Sequence, residues 1–279
     1  MSEGQITEKS VRTLRHTRHT LSNGKESLEP RSLVLPITLA VFIVTWLALD
    51  MTGFSFAVLM RRGDQFFVIL RNMFPANLSH YQRVLQPLID TVKMSLLGTI
   101  VGAALSVPFA IIASTNVVKS KLVILISRTF LGILRTIPTL VTALIATFIV
   151  GLGATAGTIA IAIFTFSFLG KLLYEQIETV DMGAFEAMEA MGAKKSEAFT
   201  VAIFPQVLPR FISNTLFCFE GNVRHAAILG WVGAGGVGLI INEQLSWRNY
   251  DNVGTSVLLL FLTVFIIETL SRFIRDRLI

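Results

Sequence analysis

The sequence predicts an all-α, polytopic membrane protein with about six transmembrane helices. Of its 279 residues, 53% are hydrophobic and 15% are charged, whereas about a quarter of the residues in a typical soluble domain are charged. Six apolar stretches are long enough to cross a bilayer, which takes about 20 helical residues. They cover residues 33–49, 94–114, 122–150, 155–173, 207–230 and 253–270.

The first 88 residues divide into two predicted regions, ahead of a core at 89–279. Residues 1–32 are polar and mixed in charge, which favours a disordered cytoplasmic tail over a nucleic-acid-binding arm. The apolar run at 33–49 is longer than a signal-peptide core and lacks a small-residue cleavage site, so we expect a retained span. The rest of 33–88 is predicted to be an outer loop, in which "FSFAVLM" and "FFVILRNMF" indicate interfacial helices.

The third apolar stretch, 122–150, is too long for one straight crossing. We expect its first turns, before Arg128, to lie along the membrane interface. Pro138 removes a backbone donor and predicts a kink in the helix. Arg135 lies one turn earlier, where its side chain is expected to bond the carbonyls that the kink frees.

The distribution of Lys and Arg predicts that both termini of a multi-pass membrane protein face the cytoplasm. Six basic residues precede the first span, and the connections at 115–121 and 174–206 each carry two lysines. The opposite connections are nearly free of them, with none at 151–154 and only Arg248 at 231–252. The long outer loop, with four arginines, departs from this pattern.

The longest connection within the core, 174–206, has the capping and terminating residues of a helix-turn-helix. Asp181 is placed to cap a helix that ends at Gly192, and Ser196 to cap a second that ends near Pro205. The first helix carries alanines three residues apart, which give it one smooth face that another backbone can approach. These alanines are Ala184, Ala187 and Ala190.

Within this loop, Glu186-Ala187, then Gly192 and then Phe204-Pro205 resemble the Glu-Ala-Ala loop of binding-protein-dependent ABC importer permeases. The resemblance implies the type I ABC importer permease fold and a loop that docks into a cleft of a separate ATPase. The residues it assigns to this coupling are Glu186, Ala187, Ala190 and Gly192. The sequence departs from the pattern at Met188, where the family has alanine.

The resemblance extends over about residues 85–279 and points to the phosphonate branch of the family. It is carried by "LRTIP" at 134–138, "VGLG" at 150–153, "FLGKLLYEQIE" at 168–178 and "FEGNVRHAAILGWVGAGGVG" at 219–238. Thr139 replaces a usual acidic residue, and "FTFSF" at 164–168 lacks an expected histidine. The implied substrate is phosphonate or a related phosphorus oxyanion, and the alternative within the family is an amino acid such as methionine.

The resemblance also implies a set of partners for this chain. It is expected to form a homodimer in lipid, to bind a cytoplasmic ABC ATPase dimer and to receive substrate from an extracytoplasmic binding protein. No cofactor is expected in this chain, because the partner ATPase binds the ATP and magnesium. No nucleic-acid partner is expected.

The glycine-rich segment "GWVGAGGVG" contains the G-x-G-x-x-G spacing of a dinucleotide-binding turn. That function requires a preceding strand, and a second strand that delivers Asp251, but the candidate "EQLSWRNY" is polar. Because irregular backbone at membrane depth must be buried or line a cavity, we predict a re-entrant or hinge segment. The predicted hinge or gate residues are Gly233, Gly235, Gly236, Gly238 and Pro138.

The fifth apolar stretch carries polar and charged side chains at Glu220, Asn222, Arg224 and His225. Charges within a span are costly and usually face protein or water, so these residues are candidates for a substrate pathway. Two alternatives remain: a Glu220–Arg224 pair that only neutralises itself, and a gate or structural lock that does not touch substrate.

No catalytic constellation is found in the sequence. It lacks HExxH, CxxC and a Ser-His-Asp set, and its four histidines do not have the spacing of metal ligands. Cys218 is the single cysteine, which excludes an intrachain disulfide. We therefore expect a non-enzymatic protein. The alternatives from other classes are a membrane-embedded nucleotide-binding enzyme and a scaffold without transport.

Overall fold

The computed structural model describes residues 11–12, 17–20, 24, 26–29 and 33–278. The described chain is mainly helical, which confirms the predicted fold class. It forms two compact units, Met1–Phe66 and Phe67–Ile279.

The first unit contains the tail and the first long helix. Its three short strands, β1 (Val11–Arg12), β2 (Thr17–Thr20) and β3 (Glu26–Glu29), form an antiparallel sheet in that order. These residues depart from the predicted disorder, and the remainder of the tail, apart from residue 24, lies outside the described residues. Helix α1 (Val34–Met51) coincides with the first predicted span, and α2 (Phe56–Arg62) follows it.

Helix α3 (Asp64–Met73) and α2 occupy the two segments predicted to be amphipathic helices. Their placement at a membrane interface remains a prediction.

The second unit contains the other long helices. They are α4 (Tyr81–Ala113), α5 (Lys121–Thr136), α6 (Thr139–Val150), α7 (Ala154–Glu178), α10 (Phe204–Leu229) and α12 (Tyr250–Arg275). Among the described residues, four helices can cross a membrane by length and composition, or up to six if each of two bent pairs is one span. Helix α4 begins 13 residues before the predicted 94, because its first turns are polar and hydropathy does not register them.

The pair of helices that covers the third predicted span is bent by 90° between α5 and α6. Ile137, which precedes Pro138, is extended (φ −79°, ψ 119°), as expected for a residue before proline. The predicted kink is therefore present, but the break follows Thr136 and not Arg128. The expected bonding by Arg135 is wrong, since within the described part of the chain its side chain forms no hydrogen bond.

Helices α4 and α7 approach each other closely through small residues. A Cβ added at Gly98 would lie 2.8 Å from Cγ2 of Ile161, and one added at Gly102 would lie 2.6 Å from the carbonyl oxygen of Ala162. Without a hydrophobic drive between helices in lipid, such close packing is a main source of association.

The helix-turn-helix at 174–206 is formed by α8 (Gly183–Ala190) and α9 (Lys195–Ala198). At its start, Oδ1 of Asp181 accepts a hydrogen bond from the Gly183 amide at 2.9 Å. The second cap differs from the prediction, because the carboxylate of Glu197 accepts from the Lys194 amide at 3.1 Å and Ser196 does not cap.

The second helix also continues beyond the predicted end near Pro205. A π-helical turn (Phe199–Ile203) joins α9 directly to α10. Pro205 lies in the first turn of α10, directly after the π-helical turn, and does not stop the helix.

Candidate functional site

Helix α8 is attached to the protein by one face. Phe185 is 4% exposed and packs in a core cluster that includes Ile177 and Ile203. The residues on the other side, Glu186, Ala187 and Ala190, are exposed. The helix therefore presents an exposed surface with two alanines, while the buried ring of Phe185, with the partly buried Met182 and Met188, holds it in place.

Gly192 ends this helix in the left-handed conformation, with φ of +88°. The Gly192 amide donates to the Glu189 carbonyl and the Ala193 amide to the Met188 carbonyl, each at 3.0 Å. No atom lies within 4 Å of a Cβ added at Gly192. The helix ends at Gly192 as predicted, and the requirement for glycine there is conformational and not steric.

A polar cluster that sequence analysis missed lies at the end of α7. Glu178 accepts hydrogen bonds from the Thr115 amide at 2.7 Å and from the guanidinium of Arg128. Nε of Arg128 donates to the Ala113 carbonyl at 2.9 Å, and its guanidinium lies 4.6 Å from the Tyr174 ring. The cluster joins the ends of α4 and α7 to α5. Its only signal in the sequence is two charges, at Arg128 and Glu178, near the ends of apolar stretches.

The charged residues of α10 form a network that extends to α12. One carboxylate oxygen of Glu220 pairs with Arg224, and the other lies 3.6 Å from Nη1 of Arg275. The Glu220 side chain is 6% exposed, whereas that of Arg224 is 51% exposed. Sequence reasoning found the first pair from its i, i+4 spacing, but Arg275 is 55 residues away in the chain and could not be assigned.

Asn222 and His225 have different surroundings. Asn222 is 1% exposed, and its Nδ2 donates to Oγ1 of Thr99 at 2.8 Å and of Thr165 at 2.9 Å. It therefore ties α10 to α4 and α7 inside the protomer. His225 is exposed, with its ring 5.8 Å from the ring of Phe164. Of the four predicted pathway residues, only Arg224 and His225 lie on the surface.

The glycine-rich segment is a tight turn packed against the loop between α6 and α7. Gly233, Gly235 and Gly236 all have φ near +80°, and the Gly153 amide donates to the Gly233 carbonyl at 2.9 Å. A Cβ added at Gly238 would lie 1.9 Å from the Ala227 carbonyl oxygen. Glycine is required here by both conformation and space.

The turn lacks the context of a nucleotide-binding fingerprint. It follows helix α10 and not a strand, and α11 (Val237–Ser246) begins after it. The first amide of α11, at Val237, donates to Oγ1 of Thr91 at 2.8 Å. The Thr91 hydroxyl thus accepts the hydrogen bond of an amide that a pyrophosphate would need at the N-terminus of α11.

Comparison with known proteins identifies the class of protein that has this fold and this loop. Residues 106–279 match the family described as the binding-protein-dependent transport system inner membrane component. The chain belongs to that family. A chain of the inward-facing MetNI methionine ABC transporter superposes with a TM-score of 0.63 at 20% identity, covering 70% of this chain and 96% of that one. This likeness confirms the type I ABC importer permease fold.

Relatives place the chain within the phosphonate and phosphite branch of the family. The phosphate-import permease protein PhnE of Mycolicibacterium smegmatis is 37% identical over 190 residues, which are 68% of this chain and 36% of that protein. The phosphite transport system permease protein PtxC of Stutzerimonas stutzeri is 33% identical over 201 residues, 72% of this chain and 73% of PtxC. The putative cryptic phosphonate transport system permease protein PhnE2 of Escherichia coli is 36% identical over 121 residues, 43% of this chain and 99% of PhnE2.

Methionine permeases are more distant. The methionine import system permease protein MetP of Bacillus subtilis is 28% identical over 165 residues, 57% of this chain and 74% of MetP. The resemblance to phosphonate-type permeases is confirmed, and several of these relatives are named for a phosphorus oxyanion.

Proposed function

We propose that this chain is the transmembrane permease subunit of an ATP-driven importer for phosphonate or a related phosphorus oxyanion. The observation that carries the substrate class is Arg224, a half-exposed guanidinium within an apolar helix. A guanidinium stays charged in any protein environment, and its planar fork matches two oxygens of a phosphorus centre. The names of the relatives in the phosphonate and phosphite branch support the same class.

The pathway runs along the exposed side of α10, past Arg224 and His225. Glu220, buried beside Arg224, limits how tightly an anion is held, which suits a residue that must also release it. Asn222 acts from behind this surface, because its bonds to Thr99 and Thr165 hold the middle of α10 in position. Pro138 serves as hinge or gate at the bend between α5 and α6, and the glycine-rich segment does so at the bend between α10 and α11.

Coupling to ATP hydrolysis proceeds through residues 182–204. The exposed face of Glu186, Ala187 and Ala190 docks into a cleft of the ATPase, and the Gly192 turn sets the angle at which α8 meets it. Phe185 transmits the resulting movement, because its ring is buried among residues of α7 and α10.

The chain itself performs no chemistry. Hydrolysis takes place in a cytoplasmic ABC ATPase dimer, which binds the ATP and magnesium, and an extracytoplasmic binding protein delivers the substrate. Two copies of the chain assemble in lipid with the pathway near their two-fold axis, and both termini face the cytoplasm. This topology follows from the distribution of Lys and Arg.

Substrate uptake tests the proposal in cells that lack other phosphorus importers and express the chain with its own ATPase and binding protein. We expect ATP-dependent uptake of labelled methylphosphonate, phosphite or phosphate, and none of labelled methionine. Uptake of methionine alone would replace the proposal with the amino-acid alternative.

A cysteine at position 251 separates the permease from a membrane-embedded nucleotide-binding enzyme. The proposed topology places the exposed Asp251 outside the cytoplasm, whereas a nucleotide site would need it inside. Asp251→Cys should react with a membrane-impermeant maleimide in intact cells. The parent chain is a clean control, because its single cysteine, Cys218, is 4% exposed.

A further inference from the structure

Glu220 is a buried carboxylate placed between arginines from two helices. Arg224 approaches one of its oxygens from the next turn of α10, and Arg275 approaches the other from the last turn of α12. The Arg275 side chain is 20% exposed, and its guanidinium also lies 5.8 Å from the ring of Phe217. Its position is therefore defined by contacts with α10.

The charges of this cluster do not cancel. Two guanidinium groups and one carboxylate leave a net charge of +1, within helices that are otherwise largely apolar. Because the Arg224 side chain is 51% exposed, this positive charge is open to an anion that approaches from outside the cluster. One additional anionic group would make the cluster neutral.

The two contacts of Glu220 are unequal. Its Oε1 is bonded by Arg224, whereas its Oε2 is buried and has no hydrogen-bond partner. Arg275 lies 3.6 Å from Oε2, just beyond hydrogen-bond range. A small approach of Arg275 would give this oxygen the donor that it lacks, and a buried acceptor without a donor is unfavourable.

We propose that Glu220 occupies Arg224 in place of the substrate anion, and that Arg275 is a positioning residue that holds Glu220 when the anion takes Arg224. This inference rests on the proposed function, since it requires Arg224 to contact the substrate. Arg224 can exchange one anionic partner for another only because Arg275 keeps the released carboxylate paired. Arg275 thereby sets the apparent affinity of Arg224 for the substrate anion.

Uptake of labelled phosphite by the complete transporter tests this exchange. In R275Q the cluster is neutral without substrate and Glu220 has only Arg224, so we expect the KM for uptake to rise about tenfold, within the usual range of coupling between sites. The maximal rate and the amount of assembled complex should stay unchanged. In E220Q/R275Q no carboxylate competes for Arg224, so the KM should return to the parent value or below it.

Arg272 provides the matched control. It lies one turn earlier on α12 and pairs with Glu268 at 2.8 Å on the exposed side, so R272Q removes the same charge without touching Glu220. We expect R272Q to behave like the parent chain.

Three outcomes would overturn the exchange: an unchanged KM in R275Q, an equal rise in R272Q, or no recovery in the double variant. If R275Q fails to assemble, the single variant E220Q decides. The exchange predicts that E220Q has a lower KM for uptake than the parent chain, whereas a structural lock predicts no such decrease. Failure of the proposed function is distinct, since the parent chain would then take up no phosphite, whereas normal uptake by R224A would refute only the contact between Arg224 and the anion.

Discussion

Gly235 lies so close to the backbone of Ala154 that a Cβ at position 235 would be 2.6 Å from the Ala154 amide nitrogen. Its φ of +81° is also unfavourable for any other residue. Gly235→Leu should therefore combine backbone strain of about 1–3 kcal/mol with overpacking of similar size. We expect uptake to be lost, measured against the amount of inserted protein.

Gly132→Leu is the matched control, because a Cβ at Gly132, within helix α5, meets no atom within 4 Å. It should retain most of the uptake. Equal tolerance of both substitutions would contradict a close-packed gate and favour the scaffold alternative.

We predict that substitution of Gly192 impairs coupling to the ATPase but not folding. Gly192→Val places a β-branched residue at φ +88°, where the strain is about 1–3 kcal/mol and reorients α8. Insertion should be normal while transport fails with the ATPase present. Gly192→Asn should be milder, since asparagine tolerates this conformation best among the other residues. Normal uptake by Gly192→Val would refute the coupling role.

Phe185 is predicted to be the mechanical attachment of α8. Replacing a buried phenylalanine by alanine typically costs about 3–5 kcal/mol, and here that loss falls on the contact between α8 and the core. Phe185→Ala should uncouple ATP hydrolysis from uptake and make the 182–204 segment sensitive to protease. Met191→Ala is the control, because that side chain is 79% exposed. The two variants should differ in both assays.

Substitutions of Arg224 distinguish a residue of the substrate pathway from one that only locks the structure. Arg224→Lys keeps the charge but loses the planar fork, so uptake should be impaired, and Arg224→Ala should be more severe. The amount of membrane complex should remain near normal in both variants.

The double variant Arg224→Ala/Glu220→Gln is the decisive comparison. It removes the buried carboxylate that Arg224→Ala leaves without its nearest partner. If Arg224 contacts the anion, the double variant still fails to transport. Recovery of both complex and uptake would show that Arg224 only neutralises Glu220.

Local patterns in the sequence were sufficient for the class of fold and for several single residues. Apolar length predicted the membrane-spanning stretches, since hydrocarbon thickness sets how many helical residues a crossing takes. The conformation of Gly192 and the bend at Pro138 were also predictable, because both depend on the backbone of one or two residues. The start of α4 and the continuation through Pro205 were not, because polar residues in the first turns of α4 hide its start from hydropathy, and Pro205 lies within a continuous helical segment.

The arrangement of the site was decided by tertiary structure. Arg224 and Glu220 are one helical turn apart, so their spacing predicts the pair. Arg275 reaches the same carboxylate only because α12 packs on α10, and nothing in the sequence near either residue encodes that contact. Asn222 was grouped with Arg224 by position, yet helical rotation turns it toward Thr99 in the core. The sequence alone determined which charges lie within apolar stretches, and packing determined which of them meet.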